Sequence, residues 1–251
     1  MTKSELTIVI PTYNEGDIIE SALKCVSEAL GELRKVTEII IADDGNDDLP
    51  VVVERCGLLF GFVDVKVMRN KSRLGKGESI RKAFMVSQGD IIGFIDIDFS
   101  VAPSFIHDAV REIKNGSDIC IASRVGNRFK SDGSLTTSIF GTLFGFINRS
   151  LLFNGNKSFS DTQCGFKFFK KEVALDLYRD LIATDGLTDL EVLIKAVKHG
   201  YKVSELKVPR FNDRVGKRKI SSIFIPETIS LCQIFCKYKL GLNLFVRNTD
   251  N

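Results

Sequence analysis

The sequence predicts an α/β protein, a doubly wound and mostly parallel sheet with helices on both faces, and three observations carry that expectation. Short β-branched runs alternate along the chain with segments of helical periodicity. Most of those runs are apolar on both pleat faces, as strands covered by helices on each side must be. Four of them lead directly into polar, acidic or glycine-rich residues, and ligands of open parallel sheets bind at the carboxyl ends of strands.

In chain order, Leu6–Pro11 is the first expected strand. Ile19, Ala22, Leu23, Val26, Ala29 and Leu30 then repeat at helical spacing. Strands are expected at Glu38–Asp43 and Val63–Arg69, then a helix carrying Ile80, Ala83 and Phe84. The strand Ile91–Asp96 is followed by a helix with Phe105, Ile106, Ala109, Val110 and Ile113, and that by a strand at Ile119–Ser123. Asn127–Ser134 reads as a loop and Ser138–Asn148 as an apolar helix. A helix with Leu190, Leu193, Ile194 and Val197 ends at Gly200, ahead of a last strand at Lys202–Val208. The chain then turns basic and closes with an apolar-rich helix near Ile220–Tyr238. No repeat or linker divides it. Residues 1–219 are read as the catalytic unit, and 220–251 as an amphipathic helix and tail of the same domain.

A chain of 251 residues fits one such domain. Its net charge of +3 is too small to argue for nucleic acid, but basic residues cluster at Arg69–Lys76 and Arg210–Lys219. The six cysteines form no CxxC pair, which suits free thiols in a reducing cytoplasm, and the polar start Met1–Glu5 is not that of a signal peptide. No apolar stretch reaches the ~20 residues that span a bilayer. The nearest, Ser138–Ser150, contains Arg149. The expectation is a protein that touches a membrane without crossing it.

Four motifs stand at the expected strand ends. Pro11-Thr12-Tyr13-Asn14-Glu15 fits a helix capping box, Thr12 with Glu15, and equally a loop holding a base and ribose. Asp43-Asp44-Gly45 sets two carboxylates side by side, which repel unless a donor, cation or ligand compensates. Arg69, Lys71 and Arg73 lead into Gly75-Lys76-Gly77 at the opening of a helix, where glycines and the helix N-terminus favour a phosphate; the spacing is not that of a Walker loop. Asp96-Ile97-Asp98 is the strongest signal, because hard divalent cations take carboxylate oxygens and bridge protein to diphosphate.

In order, these motifs resemble the inverting GT-A-fold glycosyltransferases of family 2. Ala122-Ser123-Arg124, Asp161-Thr162-Gln163-Cys164-Gly165-Phe166-Lys167, Asp189-Leu190-Glu191, and Arg214 followed by Gly216-Lys217 extend the match. The Asp161–Lys167 segment and the late basic motif look most like the polyprenyl-phosphate branch, and within it the dolichyl-phosphate glucosyltransferases. Three positions depart from the pattern: Asn46 follows Asp-Asp-Gly where serine is usual, Ser100 stands where many mannosyl relatives carry glutamine, and Ser138–Asn148 has no arginine.

The resemblance implies transfer of a hexose, glucose before mannose, from a UDP-sugar or GDP-sugar to a polyprenyl phosphate with inversion. Mg²⁺ or Mn²⁺ would sit on Asp98 with Asp96 beside it. Pro11, Tyr13, Glu15, Asp43, Asp44, Gly75, Lys76 and Asp96 would bind the nucleotide. Asp161 would orient the acceptor or the sugar hydroxyls, with proton removal its other possible part, and Arg124, Arg214 and Lys217 would clamp the acceptor phosphate. Such a protein would work at the cytoplasmic face of a membrane as a peripheral protein. Two apolar segments, one from Ile139 to Leu152 and one from Ile223 to Phe235, could rest on the lipid or pack on the sheet. A family 2 enzyme with a non-lipid acceptor is the alternative. A sugar nucleotidyltransferase would instead show a glycine-rich, Arg-containing loop after the first strand, and a phospho-receiver domain would be about half this length with an acceptor Asp where Val67-Met68-Arg69 stands.

Overall fold

The computed structural model describes residues 4–125, 159–184, 186–211 and 230–241. Its strands are β1 (Leu6–Thr12), β2 (Thr37–Asp43), β3 (Asp64–Arg69), β4 (Ile91–Ile95), β5 (Ile119–Val125), β6 (Phe166–Lys170) and β7 (Val203–Pro209). They form one sheet in the order β3-β2-β1-β4-β6-β5-β7. The six expected strands are all present. β6 is the addition, and it runs antiparallel to both β4 and β5.

The central strands show why the sheet is doubly wound. Every residue of β2 is buried, so both of its faces must be covered. Ile8, Ile10, Ile39 and Ile41 join one core with α1 (Ile19–Leu30), α2 (Leu49–Cys56) and α4 (Ile106–Lys114). Their sequence neighbours Val9, Ile40 and Ala42, with Ile92 and Phe94, join the other, built on α3 (Lys76–Val86), α5 (Lys171–Tyr178) and α6 (Thr188–Lys198). The period-2 alternation of a strand thus feeds two separate cores.

α2 and α5 were not expected. Each is only eight residues long, and the triple valine of α2 imitates a strand. The capping box is not formed: Thr12 closes β1, α1 starts only at Ile19, and Glu15 Oε2 accepts the Tyr13 N–H at 3.2 Å.

β6 decides the geometry of the site. Because it is antiparallel, its first residues lie beside the last residues of β4, with Phe166 opposite Ile95 and Phe168 opposite Gly93. A Cβ at Gly93 would stand 2.4 Å from the Phe168 ring, so the glycine inside the β4 run makes room for that aromatic side chain. Asp161–Lys167 is thereby carried to the edge where β1, β2, β4 and β5 end.

For part of the second apolar segment the structure favours packing on the domain. Of the second proposed membrane segment, Leu231 and Ile234 are fully buried in the core of α3, α5 and α6, with Phe235 packed against it. Tyr238 Oη donates to the buried Glu191 at 2.9 Å, and Lys237 Nζ to the Asp180 carbonyl at 3.0 Å. Burial against the domain accounts for Leu231, Ile234 and Phe235. The first segment, Ile139–Leu152, and residues Ile223–Ile229 lie outside the described residues, as do Asn127–Ser134 and most of the expected 220–251 unit. Among the described residues, no helix is long and apolar enough to cross a membrane.

Leu231→Ala should therefore lower stability by about 2–4 kcal/mol in urea unfolding, the cost of a buried leucine cavity. A loss below about 0.5 kcal/mol would mean the side chain is solvent-facing.

Candidate active site

The carboxyl ends of β1, β2, β4 and β5 share one edge of the sheet with the first residues of β6 and the N-terminus of α3. Asp43 ends β2 fully buried. It accepts from Arg69 Nε at 2.6 Å, from the Gly45 N–H at 2.9 Å and from Thr12 Oγ1 at 3.3 Å. Asp44 turns the other way and accepts from the Leu74 and Gly75 backbone N–H groups, each at 2.8 Å, and from Asn70 Nδ2 at 3.2 Å. The neighbouring carboxylates are thus each matched by their own donors. One fixes β2 to β3, and the other ties down the loop before α3.

That loop is tightly held. Gly75 has φ +93°, and a Cβ there would lie 2.4 Å from the Thr184 carbonyl oxygen, so only glycine fits. Gly77 presses on Thr188 in the same way. Lys76 begins α3 between them.

Pro11 lies in β1 opposite Ala42. Beyond it, Asn14 adopts φ +56° and its Oδ1 accepts from the Asn46 N–H at 2.8 Å, which joins the loops after β1 and β2. Tyr13 is half exposed, and the Arg73 guanidinium stands 4.4 Å above its ring centre, a cation–π pair at the mouth of the edge.

Asp96 follows β4. Its N–H donates to the Gly165 carbonyl at 2.9 Å. A Cβ at position 165 would fall 1.8 Å from its Oδ2, so Gly165 is what lets β6 start against this carboxylate. Lys76 Nζ lies 2.8 Å from Asp96 Oδ1 and 3.6 Å from Asp189 Oδ2. The fully buried Lys167 bonds Asp189 Oδ1 and the Cys164 carbonyl, both at 2.7 Å. Both ammonium groups lie over the Phe94 ring, at 5.1 and 5.5 Å.

The chain turns sharply after Asp96, with Phe99 at φ +50° donating its N–H to the Asp96 carbonyl at 3.0 Å. Burial pushes the Asp98 carboxyl above its ordinary value, and the Asp96 charge pushes it further. The Ser100 N–H, Lys76 and Arg124 only partly offset this. A divalent cation beside Asp98 would oppose both upward pushes. Asp96 and Asp98 are hard oxygen donors suited to such an ion. Among the described residues there is no group of three or more His, Cys, Asp or Glu that could hold a metal.

Asp161 faces Arg124 at the end of β5. The guanidinium grips it from Nε at 2.6 Å and Nη2 at 3.0 Å, with the Arg124 backbone N–H at 3.4 Å. Burial raises the Asp161 carboxyl, but the Arg124 hydrogen bonds and charge outweigh it, and the carboxyl lies below its ordinary value. Arg124, expected on the acceptor phosphate, thus spends two of its donors on Asp161. Arg214 and Lys217 lie outside the described residues.

The family model described as Glycosyl transferase family 2 matches residues 7–177, more than half of the chain. The chain belongs to this family. It is 28% identical over 213 residues to the glycosyltransferase AglD of Haloferax volcanii, a match covering 81% of this chain and 32% of AglD. With the dolichyl-phosphate beta-glucosyltransferase of Saccharomyces cerevisiae it shares 27% identity, covering 94% of this chain and 76% of the yeast protein. The chain thus spans about a third of the archaeal relative and about three quarters of the yeast one. A solved structure of glucosyl-3-phosphoglycerate synthase from Mycobacterium tuberculosis, in complex with Mn²⁺, uridine-diphosphate and glucosyl-3-phosphoglycerate, superimposes with a TM-score of 0.69. That match has 18% identity and covers 94% of this chain and 80% of the other. The fold is GT-A.

Within this family 2 glycosyltransferase, sequence reasoning passed over Arg69, Asn70, Lys167 and Gly165 as site-building residues. Arg69 lay in the basic run already singled out. Lys167 gave a fainter sign, a lysine set among Phe166, Phe168 and Phe169. Asp189 was part of a matched motif with no task attached, and its place between two lysines supplies one.

The Asp161–Arg124 pair sets a pH dependence. A carboxyl lowered in the fold contributes stability above its unfolded value, lost as pH falls through the lower folded one. Arg124→Met leaves burial less opposed and lifts that carboxyl. The gap in urea midpoint between wild type and variant should be widest near neutral pH and close below about pH 4. A gap independent of pH would show that the pair carries no net electrostatic stabilisation.

Proposed function

We propose that this enzyme transfers glucose from a nucleoside-diphosphate sugar, UDP-glucose before a GDP-sugar, to the phosphate of a dolichyl-type polyprenyl lipid with inversion. The observation that carries the reading is the gathering of Asp96, Asp98, Lys76 and the Arg124–Asp161 pair at one sheet edge. Relatives named dolichyl-phosphate beta-glucosyltransferases, matched over 94% of this chain, support the lipid acceptor and the glucose.

Each residue has a part in this reading. Tyr13 under Arg73 forms a platform for the base, flanked by Pro11 and Glu15. Asp43 and Asp44 hold the walls on which the nucleotide rests, and Gly75 and Lys76 meet the diphosphate at the N-terminus of α3. Asp96 and Asp98 would hold Mg²⁺ or Mn²⁺, which when bound neutralises charge on the departing diphosphate. Asp161 is kept ionised and fixed by Arg124, which suits orienting a sugar hydroxyl or the acceptor. The acceptor phosphate has a second pKa of ~6 and arrives mostly as a dianion, so it attacks the anomeric carbon without a strong general base. Arg214 and Lys217 clamp it, as guanidinium and ammonium suit phosphate oxygens. The insoluble acceptor puts the enzyme at a membrane surface as a peripheral protein. Free thiols at Cys25, Cys120, Cys164, Cys232 and Cys236 suit the cytoplasmic side.

With dolichyl phosphate and Mn²⁺, radiolabel from UDP-glucose should enter the organic-extractable product in preference to label from GDP-mannose. Asp98→Ala should cut that transfer by ~10²–10³, several kcal/mol of lost charge stabilisation at about 1.4 kcal/mol per tenfold. Unchanged metal-dependent turnover in the variant would remove Asp98 from the site, and absence of lipid-linked label would refute the acceptor.

Arg214→Ala and Lys217→Ala should raise the acceptor KM well above any change in donor KM. Equal changes would place these residues on the nucleotide side.

A further inference from the structure

Lys76 has a peculiarity that binding a diphosphate leaves unexplained. Its ammonium already sits 2.8 Å from Asp96 Oδ1, on the carboxylate assigned to the divalent ion. Asp96 has little freedom to turn away, because its N–H is bonded to the Gly165 carbonyl and its Oδ2 fills the space a side chain at 165 would take. An ammonium and a dication sharing one carboxylate repel each other strongly. One of them has to leave.

A second carboxylate is within reach. Asp189 Oδ2 lies 3.6 Å from the same ammonium, and its other oxygen is anchored at 2.7 Å by the fully buried Lys167. Asp189 is 5% exposed and fixed on α6, whereas lysine is a compact charge on a flexible stem. Gly75 and Gly77, braced on Thr184 and Thr188, hold the base of that stem still, so the movement falls to the side chain alone.

We propose that Lys76 is the resident counter-cation of Asp96, displaced to Asp189 when the divalent ion binds. Asp189 is then a positioning residue that receives the ammonium. The inference rests on the metal-dependent reading above. It has a direct consequence for binding order. The ion alone binds weakly, because it must evict a cation. A nucleoside diphosphate strengthens it by compensating the added charge, and by linkage the metal strengthens nucleotide binding by the same factor.

The test titrates the intact protein with MnCl₂, with and without UDP, reading free Mn²⁺ by its paramagnetic resonance signal; thermal melts check the fold of each variant. Lys76→Met removes the competing charge and should bind Mn²⁺ alone at least tenfold tighter, with the enhancement by UDP shrinking by a similar factor. Lys76→Arg keeps the charge and should stay near wild type. Asp189→Asn removes the landing place and should weaken Mn²⁺ binding in the absence of UDP, which decides the matter if Lys76→Met does not fold. Unchanged or weaker Mn²⁺ binding in Lys76→Met, or unchanged or tighter binding in Asp189→Asn, overturns the proposal while leaving the metal-dependent reading intact. Failure of the wild type to bind Mn²⁺ even with UDP would overturn both.

Discussion

Four charged side chains of alternating sign run from the end of β4 into the second core: Asp96, Lys76, Asp189 and Lys167. Each is contributed by a different element, respectively the turn after β4, the start of α3, α6 and β6. A buried charge is tolerable only with a partner, so no one of these elements can shift without exposing a deficit in another. Lys167 shows the constraint most sharply: with no exposure at all, its ammonium needs both Asp189 and the Cys164 carbonyl. The register of β6 against β4, the seat of α3 and the orientation of the Asp-x-Asp turn are therefore one problem with one solution.

The two acidic pairs of the edge are treated differently, and the difference separates scaffold from chemistry. Asp43 and Asp44 receive donors from Arg69, Thr12, Asn70 and the backbone N–H groups of Gly45, Leu74 and Gly75, and they build walls. At the other pair Lys76 lies against Asp96, and the Asp98 carboxyl is pushed upward by burial and by its neighbour's charge. A carboxyl raised in this way is one that a cation brought from outside would return to its charged form.

Much of this was legible in the sequence because the strands are apolar on both faces and their ends carry the only polar groups that such strands could place at an edge. Ile39-Ile40-Ile41-Ala42 admits few readings, and Asp43-Asp44 after it inherits its position. β6 was not legible. Phe166-Lys167-Phe168-Phe169-Lys170 lacks β-branched residues, and its central lysine argues for solvent until Asp189, 22 residues on, is known to meet it. The protein partners of Asp44 and Arg124 were hidden for a related reason. Sequence spacing tells that a carboxylate or guanidinium reaches the edge, but not that a backbone N–H or another side chain has claimed it first. The apolar tail left two readings open, since Leu231 and Ile234 look alike in sequence whether they meet lipid or the core of α6.

Charge balance explains why the basic motif at Arg214 belongs to the proposed reaction. Around the edge Asp96, Asp98, Asp161 and Asp189 face Lys76, Lys167 and Arg124, an excess of one negative charge if all are ionised. A divalent cation and the two charges of a sugar diphosphate cancel one another and leave that excess as it was. A phosphate dianion arriving next would enter a field already negative, and in a low-dielectric edge that repulsion would oppose the attack it has to make. Arg124 cannot relieve it fully, because two of its donors are held by Asp161. The proposed reaction would therefore draw further positive charge from elsewhere in the chain, and Arg210–Lys219 is a basic run of that kind. In the proposed reaction Lys167 and Arg124 stay with the carboxylates they already hold, and the acceptor phosphate is met by cations from that later run.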